Sequence, residues 1–312
     1  MLRSCDIRGG GPGGKSGDVL EHGYAYMGAG VFVEGDNSVG HFYNVSFTDL
    51  RAELCTAIYA QGSTDAESPI DIIIAGCEFL RNSAGANIVT IGWSFVRAEI
   101  SDTVFKGNIG NALLIYKNGN ENDVQIVRCT FIENTGSGNG WPGYGSSVVI
   151  NPNTEALVSI SDCVFKGNIG DVSYTGGALT LVSGHVLMHN VSLIENTASG
   201  SLGGGGLNVQ SGAKVTAINC FSLANKAPAG FGGDVLVQSA MLTLINSKCR
   251  RNCVFPSCVC QFCGGGLYMQ LRISVFRLSF VVAGVCTHDL SHFCPRTHRH
   301  VRRVLFLRWK NL

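Results

Sequence analysis

Short apolar runs alternate along this chain with breaks rich in glycine, asparagine and aspartate, and the alternation is periodic. The peptide ISDTVFKGNIG at 100–110 returns as ISDCVFKGNIG at 160–170, with ten of eleven positions unchanged. Aligning its core along the chain gives eight copies: NVSFTDL at 44–50, GCEFLRN at 76–82, DTVFKGN at 102–108, RCTFIEN at 128–134, DCVFKGN at 162–168, NVSLIEN at 190–196, NCFSLAN at 219–225 and NSKCRRN at 246–252. Their last residues lie 32, 26, 26, 34, 28, 29 and 27 residues apart. Periods of that length belong to architectures in which one supersecondary unit stacks on the next.

Each slot of the unit has a backbone or packing reason. The first slot is Asn44, Gly76, Asp102, Arg128, Asp162, Asn190, Asn219 and Asn246. Seven of these eight are Gly, Asn or Asp, the residues that best tolerate a left-handed backbone, so the slot predicts a sharp bend between two strands. The next slot is small or apolar, with Cys77, Cys129, Cys163 and Cys220 among its members. Two positions on stand Phe47, Phe79, Phe105, Phe131, Phe165, Leu193, Ser222 and Cys249. A spacing of two puts both slots on one face of a strand, and their apolar character turns that face inward. The cysteines there read as small, reduced core residues. The final slot is Leu50 followed by Asn82, Asn108, Asn134, Asn168, Asn196, Asn225 and Asn252. Identical amides in register can hydrogen-bond up a stack.

After each Asn comes a Gly-rich loop of varying length, then a further strand such as ALTLVS, LNVQS or VLVQS. Three short strands and three turns per unit predict an all-β fold, a right-handed parallel β-helix of about eight coils with irregular ends. Composition agrees. Gly is 41 of 312 residues and charged residues are 14%, which disfavours a helical bundle. The formal net charge of +1 gives no general attraction to nucleic acid. Three regions are expected: a Gly-rich, disordered leader at 1–23, the β-helix at 24–270, and a basic irregular tail at 271–312. The period is lost in that tail, which reads as extraneous coding. The longest apolar stretch, Ile273 to Cys286, is interrupted by Arg277 and too short to span a bilayer, and no signal peptide is visible.

GGAL at Gly176–Leu179, together with the F-x-x-N copies ending at Asn82, Asn108, Asn134 and Asn168, resembles the repeat of the polymorphic outer membrane proteins. The resemblance covers about residues 24–270. It implies a pectin-lyase-like β-helix and an adhesin-like role at a cell surface. One GGA-[ILV] is intact, the corresponding stretches elsewhere being LGGGGL, FGGDVL and CGGGLY, and nothing after residue 271 resembles an outer-membrane barrel.

Candidate chemistry is sparse. The bend slot stacks Asp102, Arg128 and Asp162 in consecutive coils, about 5 Å apart by strand spacing. Their plainest role is an ion ladder, and their alternative role is the carboxylate-and-base set of a polysaccharide lyase or hydrolase, with calcium as its possible cofactor. Glu133 and Glu195 share a slot two coils apart and read as solvated surface acids. Trp141 and Tyr144, in the long loop GNGWPGYG, are the best candidates for contact with a partner. GGGPGGKS at 9–16 has the spacing of a phosphate-binding loop but lacks the flanking strand and helix. Cys249, Cys253, Cys258, Cys260 and Cys263 fit no zinc spacing and leave disulfides open, and His288, His292, Cys294, His298 and His300 are too loosely spaced for a metal site. Asn44 and Asn190 begin glycosylation patterns, but the bend already accounts for both. No metal is implied.

Two functions remain open at this level. The first is a non-enzymatic surface or extracellular protein binding protein or polysaccharide through loops on one side of the solenoid. The second is a carbohydrate-active enzyme of pectate-lyase-like shape. The repeat and the missing carboxylate cluster favour the first.

Overall fold

The computed structural model describes residues 2–4, 6–8, 30–35, 37–52, 55–62, 69–118, 123–137, 145–152, 156–171, 175–200, 203–229, 232–250 and 267–270. Every regular element among them is a strand, and every pairing is parallel. The strands form a right-handed parallel β-helix with three sheets, one for each strand of the unit. In chain order around a coil these are a leading, a ladder and a trailing sheet. The leading sheet has nine strands and runs from Leu2–Arg3 through Val39–Tyr43 to Met241–Ile245. The ladder sheet, also nine-stranded, runs from Asp6–Arg8 through Ser46–Thr48 to Lys248–Arg250. The trailing sheet has thirteen strands, among them Cys55–Gln61, Ser83–Ser94, Ile109–Asn118, Leu179–Leu181 and Leu267–Gln270.

The eight copies of the unit supply eight successive ladder strands, so seven turns separate the first from the last. A further rung precedes them. Leu2–Arg3 pairs with Val39–Tyr43 and Asp6–Arg8 with Ser46–Thr48, so strand structure occurs ahead of residue 24, where the repeat was expected to start. Among the described residues, no helix is long and apolar enough to cross a membrane.

The bend slot behaves as its composition predicts. Asn44, Asp102, Arg128, Asp162, Asn190, Asn219 and Asn246 have φ between 50° and 55°, and Gly76 has φ 64°. Arg128 shows that the stack imposes this conformation even on a residue that does not favour it. A second left-handed column was not legible. It sits just before the ladder slot, at Asp49, Arg81, Gly107, Glu133, Gly167, Glu195 and Ala224, with φ between 53° and 65°. Its glycines were visible, but Arg, Glu and Ala carry no left-handed signal. Each non-glycine there costs roughly 1–2 kcal/mol, offset by the bonds that the turn lets the next Asn make.

The interior is one apolar column built from the inward slots of all three sheets. Its spine is a stack of five phenylalanines, Phe47, Phe79, Phe105, Phe131 and Phe165, each fully buried. Their ring centroids are 4.8, 4.6, 4.7 and 4.6 Å apart and the rings lie within 5° of parallel. The expected inward cysteines are there as free thiols. Burial raises the Cys55 thiol to about 12, and the neighbouring Cys163 thiol together with burial holds Cys129 well above its ordinary value, so both stay protonated core groups.

Candidate binding face

The ladder slot fixes the geometry on which any surface must rest. From Asn82 to Asn196, each amide nitrogen and each backbone N–H donates to the side-chain oxygen of the Asn one coil later. For Asn134 both distances to Asn168 Oδ1 are 3.0 Å, and Nδ2 also donates to Phe105 O at 2.9 Å. Asn82, Asn108, Asn168 and Asn196 repeat the arrangement with Asn108, Asn134, Asn196 and Asn225. Leu50, which has no amide, contributes only its backbone N–H, 3.0 Å from Asn82 Oδ1. Six of the seven expected ladder residues are thus placed, all with 0–1% exposure, and Asn252 lies outside the described residues.

Two coils beyond Phe165, the last ring of the stack, the amide ladder meets a fully buried acid. Asp234 lies in FGGDVL at the position that Ala178 fills in GGAL. Its coil lacks a phenylalanine, since Ser222 stands in that slot, and the acid side chain occupies the space. Asn225 Nδ2 donates to Asp234 Oδ1 at 2.9 Å, Ser222 Oγ donates to the same oxygen, and the Cys249 thiol also hydrogen-bonds the carboxyl. Burial pushes the carboxyl above the ordinary carboxylate range, against the pull of those hydrogen bonds. A pKa raised in the folded state favours the protonated form. The stabilisation is therefore complete below the unfolded carboxylate value and is lost as pH rises through the folded one. Asp234→Asn keeps the shape and removes the charge. It is expected to stabilise the chain at pH 8 by about 1–3 kcal/mol, the scale of the desolvation cost that a buried ionised group carries and a neutral amide does not, and to flatten the decline of Tm with rising pH. Thermal unfolding followed by circular dichroism at several pH values checks both.

The bend column carries the ion ladder in part. Arg128 grips Asp102 with Nε and Nη2, both at 2.7 Å. The guanidinium lowers the Asp102 pKa, chiefly through this hydrogen bond. Asp162 accepts instead from Asn190 Nδ2, 2.7 Å away, while adding to the electrostatic field on Arg128. Two further pairs of the same kind, Arg81–Asp49 and Arg97–Asp71, also bridge adjacent coils, and all three are solvent-exposed. Both oxygens of Asp102 are engaged by the arginine, which suits a brace between coils better than a proton carrier. Among the described residues, no group of three His, Cys, Asp or Glu side chains is placed to hold a metal ion.

Length varies at one place in the unit, in stretches that lie outside the described residues. Segments 53–54, 138–144, 172–174, 201–202 and 230–231 precede trailing-sheet strands, and 63–68, 119–122 and 153–155 follow them. Part of the outward face of this sheet is covered, although Phe32, Ile109 and Ile169 on its strands are exposed. Leu114, Tyr116 and Val149 form a satellite apolar cluster on it, and Thr180 and Asn208 are fully buried. At its edge, glycines allow backbones to meet. A Cβ on Gly176 would lie 2.0 Å from Leu179 O, and one on Gly204 would lie 2.2 Å from Leu207 O, which is why the GG pair recurs. Trp141 and Tyr144 belong to 138–144 and lie outside the described residues, as do the phosphate-loop-like segment 9–16, Cys253 to Cys263, and the tail histidines.

Sequence reasoning missed three polar features inside this scaffold. One is Asp234. Another is a short second amide pair, Asn111 Nδ2 donating to Asn87 Oδ1 at 2.9 Å. The third is the buried hydroxyl pair Ser146 and Thr180, with Thr180 Oγ1 also accepting from Gly176 N. The signal for Asp234 was present, as an acid in a slot that reads Ala112, Ser147, Ala178 and Gly206 in the coils before it.

Fold and ladders together define the class, a right-handed parallel β-solenoid with internal asparagine and phenylalanine stacks. No known protein family, curated protein or solved structure matches the chain.

Proposed function

We propose that this chain is a non-enzymatic cell-surface or extracellular solenoid of the kind its GGAL and F-x-x-N peptides resemble, the polymorphic outer membrane protein type. It binds protein or polysaccharide through loops on one side. The observation that carries this reading is the segregation of variation along the chain: the stretches of changing length flank trailing-sheet strands in sequence, while the bends and ladder are held constant. A rigid core that carries variable loops is the arrangement used for recognition. The paired Asp102–Arg128 brace supports the same reading, because its groups are already engaged with each other.

The test uses the full chain and a panel of neutral and acidic polysaccharides, with and without calcium, scored for retention and for cut products. Retention without cleavage, weakened about tenfold (about 1.4 kcal/mol) by Trp141→Ala, is the expected result. Cleavage that disappears in Asp162→Ala would replace the binding role with the lyase or hydrolase role.

A further inference from the structure

We infer that the outer face of the ladder sheet is a self-association surface on which two copies of this chain pack antiparallel. The duplicated peptide writes a two-coil alternation onto that face. Lys106, Ile132, Lys166 and Ile194 are in register on successive strands. One residue further along, in the left-handed turn, the column reads Gly107, Glu133, Gly167, Glu195. Along the solenoid axis the exposed charges therefore run Lys106, Glu133, Lys166, Glu195, positive and negative by turns, one per coil. Elsewhere opposite charges in adjacent coils close on each other, as in Arg81–Asp49, Arg97–Asp71 and Arg128–Asp102. These four do not, since the lysines leave from the strand and the glutamates from the turn.

An alternating row is its own complement when reversed. A two-fold axis between the strands Thr130–Ile132 and Val164–Lys166 sets Lys106 of one copy opposite Glu195 of the other, and Glu133 opposite Lys166. Each pairing occurs twice, as in any isologous contact. The same axis brings Leu80 opposite Leu223, and the coil of Asp49 opposite the coil of Lys248 and Arg250, which are exposed and basic. The partly exposed column Val104, Thr130, Val164 and Ser192 is likewise set against itself, Val104 opposite Ser192 and Thr130 opposite Val164, beside the rows of charge. Two flat, aligned sheet faces about 10 Å apart are an ordinary packing for β-structure. A polyanion fits this face less well, because Glu133 and Glu195 interrupt the lysines.

The size of the face sets the strength. Seven strand spacings of ~4.8 Å and three residues at ~3.3 Å give a face of about 330 Å² per copy before the bends are added. That is below the ~800 Å² per partner of a standard stable interface, so the dimer is weak and salt-sensitive.

Sedimentation velocity of the full chain over a concentration series at low salt is the test. The wild-type chain is expected to shift reversibly from monomer to dimer. The charge variants Lys106→Glu with Lys166→Glu, and Glu133→Lys with Glu195→Lys, each place four like charges in the row. Each variant alone is expected to lose self-association at least tenfold while keeping its β-sheet circular dichroism. Mixed one to one, the two are expected to associate again, which a folding defect cannot produce. A wild-type chain that stays monomeric throughout overturns the proposal. So do variants that associate as the wild type does, or a mixture of folded variants that fails to recover. Retention on an immobilised acidic polysaccharide by a monomeric wild type, lost in the Lys106→Glu, Lys166→Glu variant, would give the face to a glycan instead.

Discussion

Asn134→Ala is expected to destabilise the middle of the solenoid by about 3–5 kcal/mol, the sum of two or more stranded buried groups at about 1–3 kcal/mol each. The substitution deletes more than one bond. Asn108 loses the acceptor for both its backbone N–H, at 3.1 Å, and its Nδ2, at 2.8 Å. Phe105 O loses its side-chain donor and Asn168 Oδ1 loses the Asn134 amide. No water reaches these groups, since Asn108, Asn134 and Asn168 are at most 1% exposed. Native-state hydrogen exchange should show the loss as faster exchange at Asn108 and in the strands Val104–Lys106 and Thr130–Ile132, with smaller changes in distant coils, because each coil of a solenoid is supported by its neighbours. Equal loss of protection at Phe42 and Leu242, far along the stack, would contradict it.

Phe105→Ala is the second large effect, also about 3–5 kcal/mol by the usual cost of emptying a buried aromatic site. Phe105 is the third of five stacked rings, in contact with Phe79 at 4.6 Å and Phe131 at 4.7 Å, so both faces lose a partner. Phe105→Leu provides the control. Leu193 already occupies the same column beside Phe165, so the slot accepts leucine, and the expected cost falls to less than about 1.5 kcal/mol. The two large effects should not add. Asn134 donates to the carbonyl of Phe105, so a double-mutant cycle measured by urea unfolding should give a coupling of about 0.5–3 kcal/mol.

These expectations follow from features that were plain in the sequence, and the reason is the period. A stack repeats each local requirement once per coil, so a slot such as Asn82 to Asn225 announces its environment six times. The bend at Asn44 to Asn246 was legible for the same cause, helped by residues that favour a left-handed backbone. Features that occur once had no such support. Asp234 replaces an alanine, is buried, and answers a missing phenylalanine in its own coil, a relation that needs three dimensions to see. The second left-handed column was hidden because Arg81, Glu133 and Ala224 adopt their turn under the demand of the next Asn rather than by preference. The Asp102, Arg128 and Asp162 stack was correctly adjacent, but the spacing could not say that Arg128 would grip Asp102 while Asp162 turned to Asn190.

The asparagine ladder also has a direction. Along the row of side chains, each Nδ2 gives one proton to the Asn oxygen of the coil that follows and the other to a carbonyl of the coil before, while each Oδ1 accepts from the Asn of the coil before. A stub that ends after Asn134 is left with two waiting N–H groups, and only the oxygen of Asn168 meets both. The C-terminal tip of an unfinished solenoid is therefore a template that specifies the residue needed next. A chain delivered N-terminus first, whether from a ribosome or through a pore, would find that template renewed after every coil and could wind forward one turn at a time without waiting for its far end.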